Sequence, residues 1–121
     1  MRYEFVLDPM AVDDLRRLDA NTRTRVRAAL EVHLRHEPTN VSRSRIKRLR
    51  NLDHPEYRLR VDEFRVLYDV SEDTVTIYGI MLKTQVENWL VTHGVRSSEP
   101  AAGNNQALKG GADEDDTVGN K

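Results

Sequence analysis

Residues 57–70 read YRLRVDEFRVLYDV, and the alternation within them decides the fold. Tyr57, Leu59 and Val61 alternate with Arg58, Arg60 and Asp62; Phe64, Val66, Tyr68 and Val70 then alternate with Arg65, Leu67 and Asp69. A period of two among β-branched and aromatic residues marks half-buried strands. Only Asp62 and Glu63 separate the two runs, which leaves no room for a helix, so the runs are expected to pair as an antiparallel hairpin. One face of that hairpin carries a core and the other carries arginines.

The chain around this hairpin has 121 residues, the length of one domain, and 38% apolar residues, enough for a modest core. Its net charge of -1 conceals a strong asymmetry. Residues 16–60 hold 13 basic side chains against 5 acidic ones, whereas residues 97–121 hold 2 against 5. A basic middle is the electrostatic footprint of a phosphate ligand or an acidic protein partner, and equally of an ordinary solvated surface. Without cysteine, disulfides and thiolate metal sites are excluded. The sequence contains neither an apolar signal segment nor a run of membrane-spanning length, so cytoplasmic residence without a membrane partner is expected.

Upstream of the hairpin, residues 2–7 place Tyr3, Phe5 and Leu7 on one side of a first strand. Asp8 and Pro9 supply an N-cap and a favoured first helical residue, and Val12, Leu15 and Leu18 follow at helical spacing. Asn21 or Thr22 is expected to cap a second helix with Val26, Ala29, Leu30 and Leu34 as its stripe, ending before Pro38. His33 and His36 lie three apart on it, but nothing nearby completes a metal site. Residues 38–45 read as loop, and residues 46–51, with Lys47, Arg48 and Arg50, as an edge strand or an ordered loop. His54-Pro55 then interrupts the chain.

Downstream, residues 74–82 (TVTIYGIML) are apolar on both faces, as in a central strand, with Gly79 marking a bulge or a close backbone approach. Thr84–Glu87 matches a capping box opening a short helix that carries Val86, Trp89 and Leu90 and stops at Gly94. The expected fold is α+β: an N-terminal strand and a helical hairpin packed on a small, mostly antiparallel sheet, with a short C-terminal helix. Residues 1–95 form the domain, and residues 96–121, with the acidic run from Asp113 to Asp116, are expected to be a disordered acidic tail.

Phosphate-loop, nucleophile-elbow and zinc-spacing motifs are missing, and what remains is cationic. Arg58 and Arg60 share a strand face, and Arg65 joins them if the turn preserves that face. Lys47, Arg48, Arg50 and Lys83 surround them in sequence. Arginine forks bind phosphate oxygens bidentately and stabilise the charge that builds on a pentacoordinate phosphorus. Such arginines also serve simply to keep a sheet soluble.

Lys47-Arg48-Leu49, Tyr57-Arg58-Leu59-Arg60 and Phe64-Arg65-Val66-Leu67-Tyr68-Asp69-Val70, in this order of elements, resemble the RelE/ParE superfamily of bacterial type II toxins over residues 2–93. The resemblance implies a toxin held inactive by a cognate antitoxin. RelE-like members are metal-independent endoribonucleases, without a cofactor, that cut messenger RNA on the ribosome by attack of a ribose 2′-hydroxyl on the adjacent phosphate. ParE-like members instead poison DNA gyrase by protein binding, and a catalytically degenerate binding domain is a third possibility. By position, Arg58, Arg60, Arg65 and Lys83 fall on the family's catalytic basic residues, while Lys47, Arg48, Arg50 and Trp89 are placed to bind RNA. Trp89 stands where the family has a tyrosine, six residues after Lys83. An indole has no titratable oxygen, so either His54 is the candidate for acid-base chemistry or catalysis rests on positioning and electrostatics alone.

Overall fold

A computed structural model describes residues 1–96, which form a five-stranded sheet of order β1-β6-β5-β4-β2 with three α-helices and a separate two-stranded ribbon. The elements are β1 (Glu4–Leu7), α1 (Pro9–Arg17), α2 (Ala20–Ala29, continued by a π-helical turn over Leu30–Leu34), β2 (Ile46–Arg48), β3 (Leu52–His54), β4 (Tyr57–Val61), β5 (Phe64–Ser71), β6 (Thr74–Leu82), α3 (Val86–His93) and β7 (Val95–Arg96). The expected α+β class holds. All neighbours in the main sheet run antiparallel except β1, which lies parallel to β6 with Leu7 opposite Ile77.

The central hairpin forms as its alternation requires. Val61 faces Phe64, Leu59 faces Val66 and Tyr57 faces Tyr68, with Asp62 at φ 54° allowing the two-residue turn. Leu59, Val66 and Tyr68 are fully buried against Val26, Leu30, Leu34 and Ala11 from the helical hairpin. The turn is tied to α2 by an ion pair from Arg25 to Asp62 at 3.0 Å. Tyr68 stacks on Tyr57 and donates its hydroxyl to the Pro38 carbonyl at 2.6 Å, so the core also holds the start of the 38–45 loop.

Asp8 caps α1 by accepting from the Met10 amide at 3.0 Å, with Pro9 opening the helix as expected. The second cap differs from the sequence reading. Asp19, rather than Asn21 or Thr22, caps α2, because its carboxylate reaches the Thr22 amide at 2.7 Å and places Asn21 and Thr22 inside the first turn. That hydrogen bond holds the Asp19 carboxyl below the usual carboxylate range. The cap therefore contributes fully above the unfolded value and fades as pH falls through the lower folded one.

Residues 46–48 resolve as an edge strand, with Ile46 opposite Leu59 and Lys47 opposite Arg58. The reciprocal Thr84–Glu87 box is replaced by a 3₁₀ turn, Lys83–Gln85, in which the Gln85 side chain accepts from the Leu82 amide at 3.0 Å. The α3 helix then ends at Gly94, whose amide donates to the Leu90 carbonyl. The ribbon pairing β3 with β7 was not foreseen; strands of three and two residues have no readable period. Apart from Arg96 in β7, the acidic tail lies outside the described residues.

The β6 strand shows why both of its faces are apolar. Its pairing with β5 slips between Leu67 and Tyr68, leaving Tyr78 as the extra residue, so that Val75, Ile77 and Ile80 all reach the main core. Gly79 and Met81 then turn to the opposite face with Leu67, under α3. A Cβ at Gly79 would lie 2.7 Å from the Met81 side chain and 3.2 Å from the Trp89 ring, so the glycine admits the indole. Gly79→Val is expected to destabilise the domain by about 1–3 kcal/mol and to red-shift the fluorescence of Trp89, the single tryptophan of the chain. Denaturant unfolding with emission spectra checks both.

Candidate nucleic-acid interface

The face of the sheet away from α1 and α2 collects the charges. Arg60 lies directly opposite Arg65, and Arg58 lies between Lys47 on one side and Leu67 on the other. Directly opposed residues share a face with Cβ atoms about 5 Å apart, and like charges so placed destabilise a sheet. Two such pairs in adjoining rows, Lys47 with Arg58 and Arg60 with Arg65, are unfavourable for folding and suited to an anion.

Electrostatics register the crowding at Arg65. Its guanidinium is pushed down to about 10, chiefly by burial and then by the charges of Arg58 and Arg60, with Glu63 acting weakly the other way. It is still a cation at neutral pH, and it is held in place by donating to the carbonyls of Asp62 at 3.0 Å and Phe64 at 2.9 Å. A phosphate against this side chain would replace lost solvation and offset the neighbouring charges together. Lys83 stands at the turn end of the row, where its amide donates to the Glu63 carbonyl at 2.9 Å.

His54 stands at the other end. Its Nδ1 lies 2.8 Å from Asp69 Oδ2, and its ring meets Tyr78 edge-on with centroids 4.2 Å apart. Asp69 also accepts from the Glu56 amide through Oδ1 at 2.6 Å, so both carboxylate oxygens are engaged. Burial and then the carboxylates of Asp69 and Asp8 push the Tyr78 hydroxyl above its ordinary range, which keeps it protonated.

The remaining expected site residues separate. Arg48 lies opposite Tyr57, on the other face from Lys47, and is engaged with Glu56 in an ion pair and with the Tyr57 ring at 5.9 Å. Arg50 is exposed in the turn after β2. Trp89 is half-buried on Gly79 and tilted against His93, so its indole packs α3 onto the sheet. A cleft of about 780 Å³ between α1 and α3, lined by Asp14, Leu82, Gln85 and Trp89 among others, lies at the β6 edge away from Arg58 and Arg60. Among the described residues no three His, Asp or Glu side chains gather as a metal site, and no helix is long and apolar enough to cross a membrane.

Sequence reasoning missed Asp69 and Tyr78. Asp69 was visible in one respect, since it repeats the Arg65 and Leu67 phase and must share their face. Tyr78 carried no usable signal, because its placement depends on the bulge.

Fold and site together define a small α+β domain with a cationic sheet face. The chain belongs to the ParE toxin family of type II toxin–antitoxin systems, whose family model matches residues 5–86, and is thus a RelE/ParE superfamily toxin. The solved structures it resembles include a chain of the RelBE2 toxin–antitoxin complex from Mycobacterium tuberculosis (23% identity, TM-score 0.57, covering 69% of this chain and 100% of that one). A chain of the archaeal RelE–RelB complex from Pyrococcus horikoshii is similar at 21% identity and a TM-score of 0.56, covering 69% of this chain and 97% of that one. A chain of the RelB–RelE complex from Methanococcus jannaschii follows at 19% identity and 0.52, covering 69% and 96%. At these identities the likeness establishes the fold. No curated protein matches the chain.

Proposed function

We propose that this toxin is a ribosome-dependent messenger-RNA endonuclease of the RelE type, acting in the cytoplasm without a metal or cofactor. The observation that carries the reading is the opposed cationic row Lys47, Arg58, Arg60 and Arg65, in which burial and then the charges of Arg58 and Arg60 lower Arg65 to about 10. Arg65 and Arg58 hold the scissile phosphate and stabilise the charge of its five-coordinate state, while Arg60, Lys47 and Lys83 follow the backbone on either side. Arg50 and Arg48 extend the positive edge, Trp89 supports the sheet beneath, and His54 is the group able to take a proton from the attacking 2′-hydroxyl. A cognate antitoxin neutralises the same face by laying an acidic or amphipathic segment across it.

A second reading, gyrase inhibition by protein binding, is favoured by the ParE character of the family model. Induced expression separates the two. The nuclease reading expects growth arrest with primer-extension stops inside translated messages and no early DNA damage. Intact messages in arrested cells, with induction of the DNA-damage response, support gyrase as the target.

A further inference from the structure

The arginine row binds and stabilises charge but has no group that readily accepts a proton at neutral pH. From the geometry at its far end we infer that Asp69 is a positioning residue that makes His54 Nε2 the general base of the reaction. The inference rests on the endonuclease reading.

An ionised carboxylate only accepts hydrogen bonds, so the 2.8 Å contact to Asp69 Oδ2 places the neutral imidazole's proton on His54 Nδ1. The lone pair is left on Nε2. Asp69 cannot swing away freely, because its other oxygen accepts from the Glu56 amide. Tyr78 packs edge-on against the imidazole, with ring planes at 82°, and so fixes the orientation of its plane. His54 is anchored through Nδ1, and 30% of its side chain is exposed. An orienting carboxylate, a tautomer set by it and an accessible second nitrogen are the requirements for a histidine base.

The placement fits the arginines. Asp69 follows Leu67 by two residues on β5, and Leu67 faces Arg58, so Asp69, which holds the histidine, stands about 7 Å along the strand from the Arg58 row. A ribose next to a phosphate held by Arg58 lies within that span. In the step, the 2′-hydroxyl proton passes to His54 Nε2 while the 2′-oxygen bonds to phosphorus. The phosphorus–O5′ bond breaks, and the leaving 5′-oxygen takes a proton from solvent water. Products are a 2′,3′-cyclic phosphate and a 5′-hydroxyl, and the imidazolium returns its proton to solvent. Asp69 stabilises that imidazolium, and Asp8, whose carboxylate acts on Tyr78, adds negative charge on that side; Arg58 and Arg96 on neighbouring strands carry the opposing charge, with Tyr78, Asp53 and Glu56 the other titratable groups nearby.

The test measures message cleavage by the purified full chain on translating ribosomes, across pH, for wild type, Asp69→Asn and His54→Ala. In the Asp69→Asn variant the side-chain carbonyl still accepts from the Glu56 amide, but the new NH₂ group turns a donor toward Nδ1 and moves the imidazole proton to Nε2. Asp69→Asn is therefore expected to cleave about 10²-fold more slowly at neutral pH, with a displaced acid limb. His54→Ala is expected to lose a similar factor and to regain part of it with added free imidazole, which a structural role for the histidine does not provide. An Asp69→Asn profile superposing on wild type, or His54→Ala cleavage that imidazole does not raise, overturns the inference while leaving the nuclease reading intact. Wild-type chain that never cleaves overturns the nuclease reading itself, and the base assignment with it.

Discussion

Arg65→Gln is expected to abolish growth arrest on induced expression while the protein stays folded. The loss should be about 10²–10³-fold in message cleavage, the scale seen when a donor aimed at developing oxyanion charge is removed. Stability should change far less than function. The Arg65 value is lowered to about 10, so carrying its charge disfavours the folded state throughout neutral pH, and this penalty lifts only as pH rises through 10. Glutamine removes the charge but forfeits the guanidinium bonds to the Asp62 and Phe64 carbonyls. The two effects oppose, and the variant's Tm should fall by no more than about 4 °C. Inorganic phosphate or an RNA oligonucleotide should raise the wild-type Tm more than that of the variant. A variant that is unfolded, or fully toxic, would remove Arg65 from the site.

The largest effect on stability is expected at Tyr68. Tyr68→Ala opens a cavity at a fully buried position, removes the stack on Tyr57 and leaves the Pro38 carbonyl without its donor. Truncating a buried aromatic costs about 3–5 kcal/mol, a large share of the roughly 5–15 kcal/mol that holds a domain together. Tyr68→Phe keeps the ring and loses only the hydroxyl bond, costing about 1 kcal/mol. Urea unfolding of both variants should show this gap; equal losses would mean that the 38–45 loop, rather than the core, depends on Tyr68.

The contrast between these two residues follows their strand phase. Tyr68 belongs to the set that alternates into the core and Arg65 to the set that alternates away from it, and both assignments could be read from residues 57–70. The two runs are long, β-branched and joined by two residues, so register had little freedom, and the cationic row followed from it. Legibility stopped where local periodicity stopped. The Tyr78 bulge shifts the phase of β6 without changing its composition, and β3 and β7 are too short to have a phase. Arg48 reads as one of a basic cluster, yet in an edge strand it falls on the face opposite Lys47. The His54–Asp69 contact joins residues fifteen apart, across the β4–β5 hairpin, and only the folded chain shows it. Asp19 displaced the expected caps because a carboxylate two residues earlier fits the Thr22 amide.

The cationic face and its histidine are most directly tested by the chemistry of the cut end. Purified chain added to ribosomes translating a defined message should produce breaks within the translated region that end in a 2′,3′-cyclic phosphate, and Arg65→Gln should not. Full-length message after prolonged incubation with active wild-type chain would contradict the account.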